Sequence, residues 1–155
     1  MLEAVLFDCG GVVLDSDVKY LYRTMFTEEV GMKFFLENVL TKNIRSSWNA
    51  GAFVADEVMK LVQQYPEYRD EIRAFFDRYV ETVGGFIEGV PELVGGLKKD
   101  GVPIYLLTNW GRDTFPKVRE AYPLLDEMFD GGRNMLVSGD VGIKKPSPEI
   151  FKLAA

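Results

Sequence analysis

Three short runs of apolar residues stand out along the chain, and each is followed by polar residues or glycine. Runs of this length predict buried β-strands, because a strand needs only about four to eight residues. The pattern therefore predicts three strands that are widely separated in sequence. They lie at residues 2–7, 103–107 and 135–138.

Between the first and second runs, apolar residues recur with the spacing of amphipathic helices. Three or four helices would fill residues 17–83, whereas a simple strand-helix-strand crossover needs only about a dozen residues. The pattern predicts a separate helical layer, with hinges near residues 14–17 and at Gly84-Gly85. The predicted buried faces are Val18, Leu21, Tyr22, Met25 and Phe26; Val54, Val58, Leu61, Val62 and Tyr65; and Tyr68, Ile72, Phe75, Phe76 and Tyr79.

A side chain with catalytic or anion-binding chemistry follows each predicted strand. Asp8 ends the first run, Thr108 and Asn109 end the second, and Lys145 lies in the loop after the third. Ligands of open parallel sheets bind at the carboxyl ends of the strands, and a carboxylate there can act as a covalent nucleophile. An aspartate before Gly10-Gly11 is also typical of an ordinary turn. Because Thr108, Asn109 and Lys145 also follow predicted strands, the sequence favours an anion-binding site that contains a nucleophile over an ordinary turn.

Composition and charge exclude several classes of function. The 155-residue chain is 47% hydrophobic and has a formal net charge of -6, which argues against nucleic acid or an anionic membrane as the partner. It contains no apolar stretch of the roughly 20 residues that span a bilayer and no signal peptide, so we expect a cytoplasmic protein. The absence of histidine excludes Ser-His-Asp and Cys-His mechanisms. Cys9, the one cysteine, is expected to be a small buried filler.

Three motifs in this order resemble those of the haloacid dehalogenase-like (HAD) hydrolase superfamily. The first is Asp8-Cys9-Gly10-Gly11-Val12 after an apolar run, and the second is Thr108-Asn109 after another. The third is Lys145 before Pro146, and this position favours Lys145 over Lys144 as the family lysine. The first motif is similar to that of small phosphatases in the superfamily that carry Asp-x-Gly-Gly-Val.

The resemblance implies an α/β fold with a Rossmann-like parallel sheet core. It also implies a small helical cap inserted after the first strand, which agrees with the helical periodicity of that segment. The implied domains are residues 1–14 and 86–155 for the core and residues 15–85 for the cap.

The resemblance further implies a magnesium-dependent phosphatase that acts on a small phosphorylated metabolite through an aspartyl-phosphate. Asp8 would attack phosphorus, and Asp8 together with the Gly10 carbonyl would bind Mg²⁺, which prefers oxygen ligands. Thr108 and the Asn109 amide would hold phosphate oxygens. Lys145 would offset the negative charge of the nucleophile and the phosphoryl group.

The chain departs from the family pattern at two places. Gly10 replaces the second aspartate that most phosphatases of the superfamily use as general acid, as glycine also does in the subgroup with Asp-x-Gly-Gly-Val. The chain also ends at Ala155, before the acidic pair of the fourth motif and its strand. We therefore expect a shortened piece of a longer protein with little activity of its own. The first strand would have an uncovered edge, which favours self-association.

Two other functions stay open at this stage. A metal-independent 2-haloacid dehalogenase would use the same aspartate to displace halide from carbon. A non-catalytic protein could keep the HAD fold for binding a partner. The remaining carboxylates near these motifs, Asp15, Asp17, Asp113 and Asp140, are interpreted as helix caps or turn formers.

Overall fold

A computed structural model describes residues 2–155 of the chain. Its first elements are β1 (Val5–Phe7), β2 (Leu14–Ser16), α1 (Val18–Tyr22), α2 (Glu29–Asn38), α3 (Lys42–Ser47), α4 (Val54–Gln64), α5 (Arg69–Asp77) and β3 (Val83–Phe86). They are followed by α6 (Val90–Lys99), β4 (Ile104–Thr108), α7 (Phe115–Ala121), α8 (Leu124–Met128), β5 (Met135–Val137), α9 (Ser138–Val141) and α10 (Pro148–Ala154).

The three apolar runs form a parallel sheet with the strand order β1-β4-β5. Phe7 lies opposite Leu106 in β4, and Leu106 lies opposite Met135 in β5. The central strand β4 is the most buried, because both of its edges are paired and helices cover its side chains. The predicted α/β fold with a parallel sheet core is confirmed.

Residues 17–82, here called the helical insertion, contain five α-helices, α1 to α5, instead of the predicted three or four. The three predicted faces correspond to α1, α4 and α5, whereas α2 and α3 had no predicted face. Two short 3-10 turns separate α3 from α4 and α4 from α5. One ends at Gly51, whose φ of 104° favours glycine, and the other begins at Pro66. The insertion has its own buried cluster, which includes Leu21, Tyr22, Met32, Phe35, Leu40, Trp48, Val54, Leu61, Ile72 and Phe75.

The two ends of the helical insertion meet in an antiparallel pair of strands. Leu14 lies opposite Phe86 and Asp15 lies opposite Gly85. The Tyr20 hydroxyl donates a hydrogen bond of 2.6 Å to Asp15 Oδ2. The segments predicted as hinges therefore lie side by side in β2 and β3, and the domain boundaries themselves stay a prediction.

The helices after the insertion largely follow the sequence pattern. α6 carries Pro91 in its first turn and two lysines in its last, as the helix signals of that segment predict. The short helices α8 and α9 were not predicted. No helix within residues 2–155 combines the length and the hydrophobicity that a bilayer crossing requires.

The outer edge of β1 is unpaired within residues 2–155, because β1 pairs only with β4 there. β1 begins at Val5, later than the predicted strand over residues 2–7. Its Leu6 side chain is 46% exposed, and Leu2, which precedes the strand, is 65% exposed. An apolar strand with an open edge is a template for pairing with another chain. The open edge of β1 is therefore the surface at which the predicted self-association would occur.

We expect this 155-residue chain to sediment as a concentration-dependent oligomer and the Leu6→Lys variant to sediment as a monomer, because a charge on an edge strand opposes strand pairing. Val30→Lys is the matched control, since Val30 is 77% exposed on α2, in the helical insertion. A wild-type chain that stays monomeric at high concentration would contradict this expectation.

Candidate active site

Asp8 and Lys145 form a direct ion pair where β1 and β4 end. The Lys145 Nζ lies 2.9 Å from Asp8 Oδ1 and donates a hydrogen bond of 2.9 Å to the Leu107 carbonyl of β4. The backbone N–H of Cys9 donates to the same Asp8 oxygen at 2.8 Å. Nearly half of the Asp8 side chain stays exposed. The carboxylate is therefore oriented on one side and accessible to a ligand on the other.

Asn109 positions the loop that carries Lys145. Its side-chain oxygen accepts a hydrogen bond of 2.8 Å from the Lys145 N–H, and its side-chain nitrogen donates one of 3.0 Å to the Lys145 carbonyl. The side-chain amide is thus engaged by a single residue, which was not predicted. Among residues 2–155 no acceptor engages the backbone N–H of Asn109. The backbone N–H, and not the predicted side-chain amide, is therefore the group of Asn109 that remains free to hold an anion.

Thr108 is the last residue of β4 and is only 1% exposed. A threonine hydroxyl can donate a hydrogen bond to a bound oxyanion. Thr108 therefore lies beside Asn109 at the end of the central strand, as the sequence predicts.

The loop between Asp8 and β2 is held by one carbonyl group. The Cys9 carbonyl accepts hydrogen bonds from the N–H groups of Val12, Val13 and Leu14. Gly11 has a φ of 78°, a conformation that other residues rarely adopt. No N–H group within residues 2–155 donates to the Gly10 carbonyl. The loop therefore leaves the Gly10 carbonyl oxygen, which is a predicted metal ligand, without a hydrogen-bond donor.

A cleft lies between the helical insertion and two of the predicted site residues, Gly10 and Asn109, whereas Asp8, Thr108 and Lys145 do not line it. A cavity of about 180 Å³ is lined by Gly10, Ser16, Asn49, Tyr79, Asn109 and Trp110. A second cavity, of about 290 Å³, shares Ser16, Asn49 and Tyr79 with the first and extends to α3. A larger surface depression of about 410 Å³ beside α7 contains none of the predicted site residues. The cleft at Gly10 is therefore the better candidate for a substrate site.

Cys9 has the environment of an inert thiol. It is fully buried, and burial together with the charge of Asp8 raises the pKa of the thiol from 9.0 to about 12, although Lys145 acts in the opposite direction. The thiolate is the reactive form of cysteine. The structure therefore agrees with the interpretation of Cys9 as a buried filler.

We expect the folded protein to react with a thiol reagent at pH 8 far more slowly than the urea-unfolded protein. Because the folded-state pKa is the higher one, Cys9 contributes stability that is fully present below about pH 9 and is lost as the pH rises toward 12. The Cys9→Ala variant should lose this part of the pH dependence of stability. Labelling of the folded chain as fast as that of the unfolded chain would contradict this expectation.

Contacts between the helical insertion and the rest of the chain were missed by sequence reasoning. Both carboxylate oxygens of Asp113 accept hydrogen bonds of 2.9 Å from the backbone at the N-terminus of α4, one from Val54 and one from Ala55. The predicted cap role of Asp113 is thus correct, but the helix that it caps is α4 of the insertion. Ser138 donates a hydrogen bond of 2.6 Å to the Asn49 carbonyl.

Removal of the Asp113 carboxylate should lower the free energy of unfolding by about 1–2 kcal/mol, because the first N–H groups of α4 lose their acceptor. Urea denaturation of Asp113→Ala measures this loss. Asp77→Ala is the matched control, since Asp77 is 59% exposed and forms only a 3.9 Å ion pair with Arg73, and it should change stability by less than about 0.5 kcal/mol. Equal losses in both variants would argue against this role of Asp113.

The site offers two candidate oxygen ligands for a metal ion. They are the accessible carboxylate of Asp8 and the free carbonyl of Gly10. No group of three or more metal-ligating side chains occurs within residues 2–155. Mg²⁺ commonly binds through one or two carboxylates together with waters and substrate phosphate. The residues present therefore fit a magnesium ion that is shared with a phosphate ligand.

Solved structures with the same fold come from two bacteria. A HAD family hydrolase from Deinococcus radiodurans R1 with bound phosphate and sodium has a TM-score of 0.61 and 22% identity, over 99% of this chain and 66% of that chain. A HAD family enzyme from Bacteroides thetaiotaomicron in a magnesium complex has a TM-score of 0.67 and 17% identity, over 98% of this chain and 75% of that chain. The chain thus spans only part of the length of each of these proteins.

A further structure of the Bacteroides enzyme, in complex with magnesium and inorganic phosphate, has a TM-score of 0.64 and 17% identity, over 99% of this chain and 77% of that chain. No curated protein matches the sequence. The family model of the haloacid dehalogenase-like hydrolases matches residues 2–155, which confirms the predicted resemblance. The chain belongs to the haloacid dehalogenase-like hydrolase family.

Proposed function

We propose that this protein is a magnesium-dependent phosphatase of small phosphorylated metabolites and that Asp8 is its covalent nucleophile. The observation that carries the proposal is the Asp8 carboxylate at the end of β1, with the Lys145 amine 2.9 Å away. Two relatives of the same fold were crystallised with phosphate, and one of them also with magnesium, which supports phosphate as the ligand class.

In the first step, a carboxylate oxygen of Asp8 attacks phosphorus and the bond between phosphorus and the ester oxygen breaks. The electron pair of that bond leaves with the ester oxygen. The ammonium group of Lys145 offsets the negative charge near the nucleophile. The Thr108 hydroxyl and the Asn109 backbone N–H donate hydrogen bonds to phosphate oxygens. In the second step, water attacks phosphorus and loses a proton, and Asp8 is released together with inorganic phosphate.

Gly10 occupies the position at which most phosphatases of the superfamily carry the general acid, and no carboxylate lines the cavity next to it, so we expect the leaving oxygen to take its proton from water. Without a positioned general acid, we expect the rate to depend strongly on the pKa of the leaving group. Aryl and acyl phosphates should therefore be hydrolysed faster than alkyl phosphates.

Asp8 and the Gly10 carbonyl would hold the magnesium ion together with the substrate phosphate. When bound, the ion supplies positive charge to the phosphate oxygens. Since these 155 residues offer few protein ligands and magnesium dehydrates reluctantly, we expect weak magnesium binding in titration calorimetry. Tight binding by this chain without phosphate would mean that the metal site lies elsewhere.

The helical insertion is proposed to act as a cap over the cleft. It contributes Asn49 and Tyr79 to the cavity that Gly10 and Asn109 line from the other side. Its position beside the cleft is held by the contacts of Asp113 and Ser138 with the insertion. A cap of this kind excludes water from the reacting phosphate and selects the substrate.

Because this 155-residue chain is expected to have little activity of its own, the proposed activity is tested in a longer version of the protein that carries the family's fourth motif. That version is incubated with 4-nitrophenyl phosphate and, separately, with 2-chloropropionate, in magnesium or in a chelator. We expect release of phosphate in magnesium only and no release of chloride. Chloride release in the chelator would favour the dehalogenase instead. Binding of inorganic phosphate without any turnover of either compound would favour a non-catalytic HAD-fold protein.

A further inference from the structure

The outer part of the cleft contains two basic side chains that have no acidic partner. Lys42 and Arg45 of α3 line the second cavity, which contains no carboxylate. Within residues 2–155, no carboxylate oxygen lies at ion-pair distance from either group. The whole chain is acidic, with 24 acidic and 18 basic residues, so a cavity with two basic and no acidic side chains differs from the charge of the chain as a whole.

Arg45 is only partly exposed to solvent. Its Nε donates a hydrogen bond of 3.2 Å to the Leu40 carbonyl. Desolvation lowers the pKa of the Arg45 guanidinium, and the one carboxylate whose charge acts in the opposite direction is Asp17. The Asp17 carboxylate, however, already accepts a hydrogen bond from the Lys19 backbone. The terminal nitrogens of Arg45 therefore have N–H donors that are not hydrogen-bonded. They lie in a partly dehydrated environment, where a charge-assisted hydrogen bond to an anion is stronger than in water.

The position of Arg45 relative to the candidate active site is fixed by contacts of α3 and the turn that follows it. Lys144, next to Lys145, donates hydrogen bonds of 3.2 Å and 2.9 Å to the carbonyl and hydroxyl of Ser46. The Asn49 carbonyl accepts the hydrogen bond from Ser138. Arg45 is therefore held at a defined separation from Asp8. Two charged sites at a fixed separation select ligands by length.

We propose that the substrate carries a second anionic group, a carboxylate or a phosphate, which binds Arg45 while its reacting phosphate lies at Asp8. The shared lining residues Ser16, Asn49 and Tyr79 connect the two ends of the cleft. Lys42 is exposed at the outer end and adds positive charge without a fixed contact. This inference rests on the proposed phosphatase function, because it places the phosphate at Asp8.

The test compares three series of matched chain length: alkyl phosphates, ω-carboxyalkyl phosphates and α,ω-alkyl bisphosphates. Calorimetry in magnesium should show that one length of a doubly anionic series binds at least about tenfold more tightly than the alkyl phosphate of that length. The series with the larger preference identifies the second group. Arg45→Gln should remove the preference for the doubly anionic ligand without weakening alkyl phosphate binding. Arg45→Lys should keep part of this preference, and Arg73→Gln should keep all of it. Arg73 is an exposed arginine of α5 outside the cleft.

An equal preference in wild type and Arg45→Gln, or no preference at any length, would overturn the inference. A second measurement distinguishes failure of this inference from failure of the proposed phosphatase function. The side-chain Nε–H resonance of Arg45, identified by its absence in Arg45→Gln, should shift on titration with glutarate alone. If no phosphate binds but this resonance shifts, the phosphatase proposal fails and the anion site at Arg45 stands. If glutarate leaves the resonance unchanged, the site is refuted.

Discussion

Asp8→Asn should lower the rate of aryl phosphate hydrolysis by at least about a hundredfold, because the variant lacks the attacking oxygen. The neutral amide is nearly the same size as the carboxylate. It can still accept the hydrogen bond that Cys9 donates to Asp8, so the fold should be preserved. The measurement is steady-state turnover in the presence of magnesium. It is made in a version of the protein that is active before the substitution is introduced.

Asp77→Asn is the matched control for the Asp8 variant, since Asp77 is exposed on the helical insertion and lies outside the cleft. It should leave the turnover unchanged. Circular dichroism should show the same helix content in both variants and in wild type. Turnover of Asp8→Asn above about a hundredth of the wild-type rate would rule out the covalent mechanism.

Lys145→Gln should lower the rate on the order of a hundredfold, because a positioned cation next to the reacting groups is lost. The Lys145 amine contacts both Asp8 and the Leu107 carbonyl, so the variant also removes the group that orients the nucleophile. The measurement compares kcat and KM for the same aryl phosphate. We expect the loss to appear mainly in kcat, because the charge that Lys145 offsets is greatest during the reaction.

Lys144→Gln is the control for Lys145, since the two lysines are neighbours with different contacts. Lys144 donates to Ser46 of the helical insertion and makes no ion pair with Asp8. We expect its loss to reduce the rate less than about tenfold, with the larger effect on KM. A greater loss of kcat in Lys144→Gln than in Lys145→Gln would show that the sequence order of lysine and proline had indicated the wrong residue.

The parallel sheet and the meeting of Asp8 with Lys145 could be predicted from the sequence for a simple reason. Short apolar runs identify strands, and the carboxyl ends of neighbouring parallel strands meet at one edge. The same pattern could not predict how the strand ends are fixed. The bonds between Asn109 and Lys145 join residues that are 36 positions apart, and only the folded chain brings these groups together.

The contacts that hold the helical insertion were unpredictable for the same reason. Asp113 lies 59 positions from Val54, and Lys144 lies 98 positions from Ser46. An aspartate before a helix predicts a cap for that helix, but the sequence carries no signal that it serves a helix elsewhere. The number of helices in the insertion was also underestimated, because α2 and α3 had no predicted apolar face. In α2, the apolar side chains of Val30 and Phe34 are exposed while others are buried, so the apolar positions do not follow one buried face.

The covalent role of Asp8 is tested most directly by acid-quenching the active protein during turnover of an aryl phosphate and measuring the masses of its peptides. The proposed mechanism predicts one phosphoryl group on the peptide that contains Asp8. The modification should be removed by hydroxylamine, as expected of an acyl phosphate, and should be absent in Asp8→Asn. A phosphoryl group on a different peptide would contradict the mechanism. So would continued hydrolysis with Asp8 unmodified at every quench time and an undiminished rate in Asp8→Asn.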